Sequence, residues 1–201
     1  MGTMIGRLMA TALLCTLMIG CASTPPHFYT LSSDLPAAAQ APNVSVVVGP
    51  VSVPAQVDRP QIVVTEGPNQ VRLDEYNRWA SPLEDAIGSA VAENLAALLG
   101  TPRVTLFPDT AGTDADYRVR IEVQQFESVP GSTATLGAVW TVRRSEDGRT
   151  ETGRTRAREP VTGSGYDDLA AAHSRTLARL SRDIADTLVL LDRSPGTRTS
   201  K

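Results

Sequence analysis

"SPLEDAIGSAVAENLAALLG" (81–100) is the stretch on which the architecture turns. Leu83, Ile87, Val91, Leu95 and Leu98 recur at helical spacing. Ser81 before Pro82 reads as an N-cap with proline at the first helical position, and Glu84 completes a capping box. Gly100 ends the helix, and Pro102 blocks its continuation. The helix stands between two strand-like runs, "VSVVVGPVSVP" (44–54) and "RVTLF" (103–107). A helix in that place supplies the crossover that parallel strands require.

Working outward, Gly49-Pro50 marks a bulge or edge interruption in the first run. "QIVVTEGPNQVRLDE" (61–75) reads as a hairpin turning at Gly67-Pro68-Asn69. In "DYRVRIEVQQFES" (116–128), Tyr117, Val119, Ile121 and Val123 alternate with Arg118, Arg120, Glu122 and Gln124, the mark of a half-buried strand. "TATLGAVWTVRR" (133–144) and "RTETGRTRARE" (149–159) flank a turn at Glu146-Asp147-Gly148. Residues 167–191 place Leu169, His173, Leu177, Leu180, Ile184, Leu188 and Leu191 on one helical stripe. The order β, ββ, α, β, βββ, α predicts an α/β fold of α+β character. One mixed sheet would carry two long amphipathic helices in a single domain.

Composition narrows the function. The chain has 201 residues, a formal net charge of −3 and 4% aromatics. Nucleic-acid binders carry a basic face and stacking platforms, so nucleic acid is not an expected partner. The two cysteines, Cys15 and Cys21, leave no cysteine for a disulfide framework or metal site beyond residue 21. No His-Glu-x-x-His, phosphate-binding loop or Gly-x-Ser-x-Gly occurs, so neither enzyme activity nor a cofactor is expected. Asp167-Asp168 and Glu84-Asp85 read as acids placed at helix starts. His173 on an apolar stripe reads as a packed histidine rather than a ligand. The arginines at 143, 144, 149, 154, 156 and 158 read as a solvated strand face, with a docking surface as the alternative.

The N-terminus decides location. Arg7 precedes "LMATALLCTLMI" (8–19), which is too short to span a bilayer but suits a secretory signal. Met18-Ile19-Gly20-Cys21 then resembles a bacterial lipobox, with Met18 where Leu is usual. The resemblance implies cleavage before Cys21 and its acylation. The alternative is a secreted protein with Cys21 as a free thiol, a liability in an oxidising compartment. Three acyl chains, at about 0.8 kcal/mol per methylene, would anchor the protein stably. Ala22 and Ser23, in place of the Asp common in lipoproteins held at the inner membrane, imply the outer membrane, facing the periplasm. The domain reading is 1–20 signal peptide, 21–43 lipidated N-terminus and tether, 44–193 folded domain and 194–201 tail.

Three segments carry a further resemblance: "FYTL" (28–31), "VGPVSVPAQVDRPQIVV" (48–64) and "YNRWASPLEDAIGSAVAENLAALLG" (76–100). In order and spacing, Tyr29, Leu31, Gly49, Pro50, Pro54, Asp58, Arg59, Pro60, Gln61, Ile62, Arg78, Trp79, Pro82, Leu83, Asn94 and Leu95 resemble the PqiC/YmbA family of ABC-type transport auxiliary lipoproteins. The resemblance covers the N-terminal half. It implies a docking subunit, without catalysis, for an MCE-domain transport protein that moves lipids between membranes. A homo-oligomer is compatible with such a partner. Asp58, Arg59, Arg78 and Trp79 are the candidate partner-binding residues. Each also has a structural reading. Pro60 would hold the preceding residue extended, Trp79 would staple the helix entry to the sheet, and Asn94 would bond backbone in the adjoining loop. Two other classes compete: a lipid-binding carrier with its own cavity, and an assembly lipoprotein for an outer-membrane barrel. A periplasmic hydrolase dependent on His173 is more distant.

Overall fold

Two helices and two mixed sheets build the fold. The computed structural model describes residues 24–33, 35–38, 44–108 and 115–194. The lipobox, Cys21 and the tail from 195 lie outside the described residues. In chain order the elements are β1 (His27–Tyr29), β2 (Val46–Ser52), β3 (Gln61–Gly67), β4 (Gln70–Trp79) and α1 (Leu83–Leu99). There follow β5 (Val104–Leu106), β6 (Tyr117–Val129), β7 (Thr133–Arg144), β8 (Thr150–Pro160) and α2 (Tyr166–Arg193).

The larger sheet runs β5-β2-β6-β7-β8. β2 is parallel to both β5 and β6, and α1 lies in the crossover between β2 and β5. The remaining pairs, β6 with β7 and β7 with β8, are antiparallel. The smaller sheet, β1-β4-β3, combines the expected hairpin with a short parallel strand inside the stretch read as tether. The hairpin therefore does not extend the main sheet. It stands apart, with β3 against β6.

Alternation dictates β6 up to a defined point. Tyr117, Val119, Ile121 and Val123 are buried; Arg120, Glu122 and Gln124 are exposed. A bulge between Val123 and Gln125 then shifts the register, so that Phe126 and Ser128 are the buried residues that follow. The β2 interruption is likewise a register shift, between Val48 and Val51, where the Gly49-Pro50 peptide is cis. Gly49 has φ 119, a backbone shape that side-chain-bearing residues rarely adopt.

All seven residues of the predicted α2 stripe are buried. On α1, Leu83, Ile87, Val91 and Leu95 are buried, but Leu99 takes the last core position and Leu98 is partly buried. The start of α1 departs from expectation. Pro82, with ψ 136, is itself the N-cap, and no side chain caps the helix, so Ser81 and Glu84 form no capping box. Gly100 closes the helix in the left-handed conformation, φ 63, as its position predicts. At α2, Gly165 is the N-cap and its N–H donates to Asp168 Oδ2 at 3.2 Å.

Arg144 is the main departure on the arginine-rich hairpin. It is buried, it pairs with Asp147 at 2.6 Å, and Nη1 donates to Leu191 O at 2.7 Å and Ser194 O at 2.9 Å. It thus adds a side-chain donor to the carbonyls at the C-terminal end of α2. Arg143, Arg149, Arg154, Arg156 and Arg158 are exposed, as read from sequence.

Candidate functional site

The loop 54–60 is built by its own backbone. Val57 N and Asp58 N both donate to Pro54 O, at 2.9 and 3.2 Å, and Arg59 N donates to Val57 O at 2.8 Å. Val57 points inward and is buried, which leaves Asp58 exposed and Arg59 half-buried. The loop is stitched to β4: Trp79 N donates to Pro60 O at 2.8 Å, and Gln61 is the register partner of Arg78. Three of the four candidate residues, Asp58, Arg59 and Arg78, are thereby gathered at one end of the small sheet. Arg78 is held by its neighbours: Nε donates to Glu75 O at 3.0 Å and Nη2 lies 3.8 Å from Glu75 Oε2. Arg59 Nε is buried without a hydrogen-bond partner.

Trp79 does not join that surface. It is 4% exposed, and its ring meets Phe126 and His173 edge-on at 6.1 Å each. A ring so enclosed has no area to offer a partner; it locks the small sheet onto β6 and α2, close to its structural reading. Asn94 also differs from expectation: it is fully buried, and neither side-chain atom has a partner, so it bonds no loop backbone.

His173 is 0% exposed, stacked on Phe126 at 3.9 Å and 9°, with Nε2 2.8 Å from Ser128 Oγ. Burial pushes its pKa down to about 3, so the ring is neutral at ordinary pH. A serine beside a histidine resembles a nucleophile and its base. Here both are sealed from solvent and Nδ1 has no partner, so no carboxylate orients the ring. The pair is a packing contact.

Sequence reasoning missed a second cluster at the small sheet. Tyr166 OH donates to Asp74 Oδ2, and Asp74 Oδ1 accepts Tyr76 N, Asn77 N and Asn77 Nδ2 at 2.9–3.1 Å. Partial burial works against the Asp74 charge, but the Tyr166 and Asn77 hydrogen bonds win and hold it at about 2. The Tyr166 bond ties β4 to the start of α2, and the others hold the turn of β4 at residues 74–77. The signal was Asp74 three residues before Asn77, a spacing that suits a side-chain-to-backbone turn.

A groove of about 540 Å³ opens beside the loop, between the β3–β4 turn and the β6 bulge. Val57, Val63 and Phe126 form its floor, while Gln56, Gln70 and Gln124 give its rim an amide character. Among the described residues, no group of three His, Cys, Asp or Glu is placed to hold a metal, and no helix is long and apolar enough to cross a membrane.

Surface, groove and sealed core describe a small α+β protein that presents a loop and a sheet edge to its surroundings. The chain belongs to the family described as ABC-type transport auxiliary lipoprotein component, matched over residues 29–185. That family is a transport auxiliary lipoprotein component, not a known enzyme class. Two crystal structures share the fold. One, of an uncharacterized protein, has a TM-score of 0.67 at 19% identity and covers 82% of this chain and 99% of its own. The other, protein XCC0632 from Xanthomonas campestris, of family DUF330, has a TM-score of 0.65 at 19% identity and covers 83% and 98%. No curated protein matches the sequence.

Proposed function

We propose that this protein is the outer-membrane-anchored docking subunit of an MCE-type intermembrane lipid transport system, held by an acylated Cys21. The family membership over residues 29–185 carries this reading. Asp58, Arg59 and Arg78 form the contact surface for the MCE-domain partner, with Trp79 as the ring beneath that fixes their backbone. Energy for transport comes from an inner-membrane component. Ala22 and Ser23 after the cysteine support the outer membrane as the site of anchoring. A homo-oligomer would present several such loops to one partner.

The carrier reading has one observation in its favour, the groove of about 540 Å³ beside Val57. Its open, amide-rimmed form suits a peptide segment better than acyl chains, which need an apolar lining. Affinity capture from crosslinked cells tests the docking reading, using tagged protein with Cys21→Ala and Asp58→Lys/Arg78→Glu controls. An MCE-domain protein is expected with the wild type and should be reduced in both controls. Recovery of a barrel protein or of lipid alone would replace the reading with the assembly or carrier alternative.

A further inference from the structure

We infer that the β1 edge of the small sheet lies on the membrane surface, with the rings of Phe28 and Tyr76 seated among lipid headgroups. The inference rests on the lipid-anchor reading of Cys21. Only six peptide steps separate Cys21 from His27, the first residue of β1. Fully extended, they reach about 20 Å; as a flexible chain they span roughly 13 Å. The interfacial layer of a bilayer is itself about 5–8 Å thick on each side. β1 is therefore never far from the headgroups, whatever path the intervening residues take.

The residues at that edge suit the position. β1 and β4 are parallel, with Phe28 opposite Arg78 and Tyr29 opposite Trp79. Register partners share a face, so Tyr29 and Trp79 face the core while Phe28 and Arg78 face out. Phe28 is 61% exposed, and Tyr76, two residues before Arg78, is 50% exposed. An apolar ring and an amphipathic ring, both exposed on the β1–β4 pair, are what interfacial anchors are made of. On this edge Glu75 is paired with Arg78, 3.8 Å away.

The Tyr29 ring lies 5.9 Å from that of Tyr166, so β1 sits at the start of α2. Leu190, 65% exposed, is 24 residues further along, about 36 Å at 1.5 Å per residue. With α2 directed away from the bilayer, it belongs to the end remote from the membrane. The 54–60 loop, next to Arg78, would then meet its partner close to the lipid surface.

Single tryptophans read this directly. Trp79 and Trp140 are both buried and provide a background measured on the wild type. Full-length lipidated Phe28→Trp, Tyr76→Trp and Leu190→Trp are reconstituted in phosphatidylethanolamine–phosphatidylglycerol vesicles containing lipid brominated near the headgroup. We expect the introduced emission at 28 and 76 to be quenched at least twofold by brominated lipid and shielded from acrylamide. At 190 neither effect is expected. If the protein floats with the vesicles but 28 and 76 remain acrylamide-accessible and unquenched, the membrane contact is overturned while the anchor stands. Quenching at 190 equal to that at 28 would overturn the orientation. If the wild type fails to float, and Cys21→Ala behaves identically, the anchor reading falls and this inference with it.

Discussion

The two sheets of this protein are built to different standards. The five-stranded sheet buries one face under both helices: Ile121, Leu136, Leu180 and Ile184 are all essentially inaccessible. The three-stranded sheet has a short parallel edge strand, a turn at Pro68 and an open row of part-exposed apolar residues, Val71, Leu73 and Tyr76. One region holds the fold; the other displays it. Trp79, at the end of β4 but enclosed by Phe126 and His173, is where the displaying region is bolted to the holding one.

The most severe way to break this division is at the bolt. Trp79→Ala should cost about 3–5 kcal/mol, as burial of a large ring is lost and a cavity opens. Urea unfolding would read it, and the small sheet should lose hydrogen-exchange protection first. A second test uses acidity. His173 titrates at about 3 when folded and near 6.5 when unfolded, so its neutral burial contributes fully above pH 6.5 and is lost as pH falls toward 3. One proton gives a slope approaching about 1.4 kcal/mol per pH unit, so pH 6 to pH 4 should lower stability by about 2–3 kcal/mol. His173→Gln, compared with the wild type by unfolding at each pH, should flatten that slope. Third, Gly153 lies opposite Trp140, and a Cβ there would run into the indole. The indole is pinned by a 3.0 Å bond to Thr155 Oγ1, which in turn donates to Asp183 at 2.6 Å. Gly153→Ala should therefore cost about 1–3 kcal/mol through overpacking, seen as a lower Tm. The mildest test sharpens the contrast from the other side. Leu73→Thr, on the displaying sheet, should change stability by less than about 0.5 kcal/mol in the same assay.

What the sequence revealed follows the same division. Periodic burial writes itself into composition, so β6 and the α2 stripe were legible residue by residue. The two-sheet arrangement was not, because β1 is three residues long and too short for any period to register. Charge alone could not separate Arg144 from the arginines around it. Its role depends on α2 ending within its reach, a contact 47 residues away. The missing capping box on α1 has a similar cause: Ser81 and Glu84 have suitable identities, but Pro82 holds the cap position itself. At the site, Asp58, Arg59 and Arg78 were placed together by a loop turn and a register match that local reasoning does approximate. Trp79 was named beside them because it is adjacent in sequence, yet alternation along β4 sends its ring inward.

The parallel pairing of β1 with β4 has a mechanical consequence. Any tension transmitted from the membrane through the N-terminus enters the domain along β1. It loads that strand's bonds with β4, the Ala80 N to Tyr29 O bond and the Tyr29 OH to Asn77 Oδ1 bond at 2.8 Å in shear. Behind them, Ser32 N bonds Ser174 Oγ at 3.1 Å and Ala38 N bonds Ala97 O at 2.8 Å. Those second fastenings take the strain only after the first have slipped. A short edge strand opens at low free energy compared with a buried core. Under load the protein would thus lengthen its leash in two stages, and the core bearing α1 and α2 would feel the pull last.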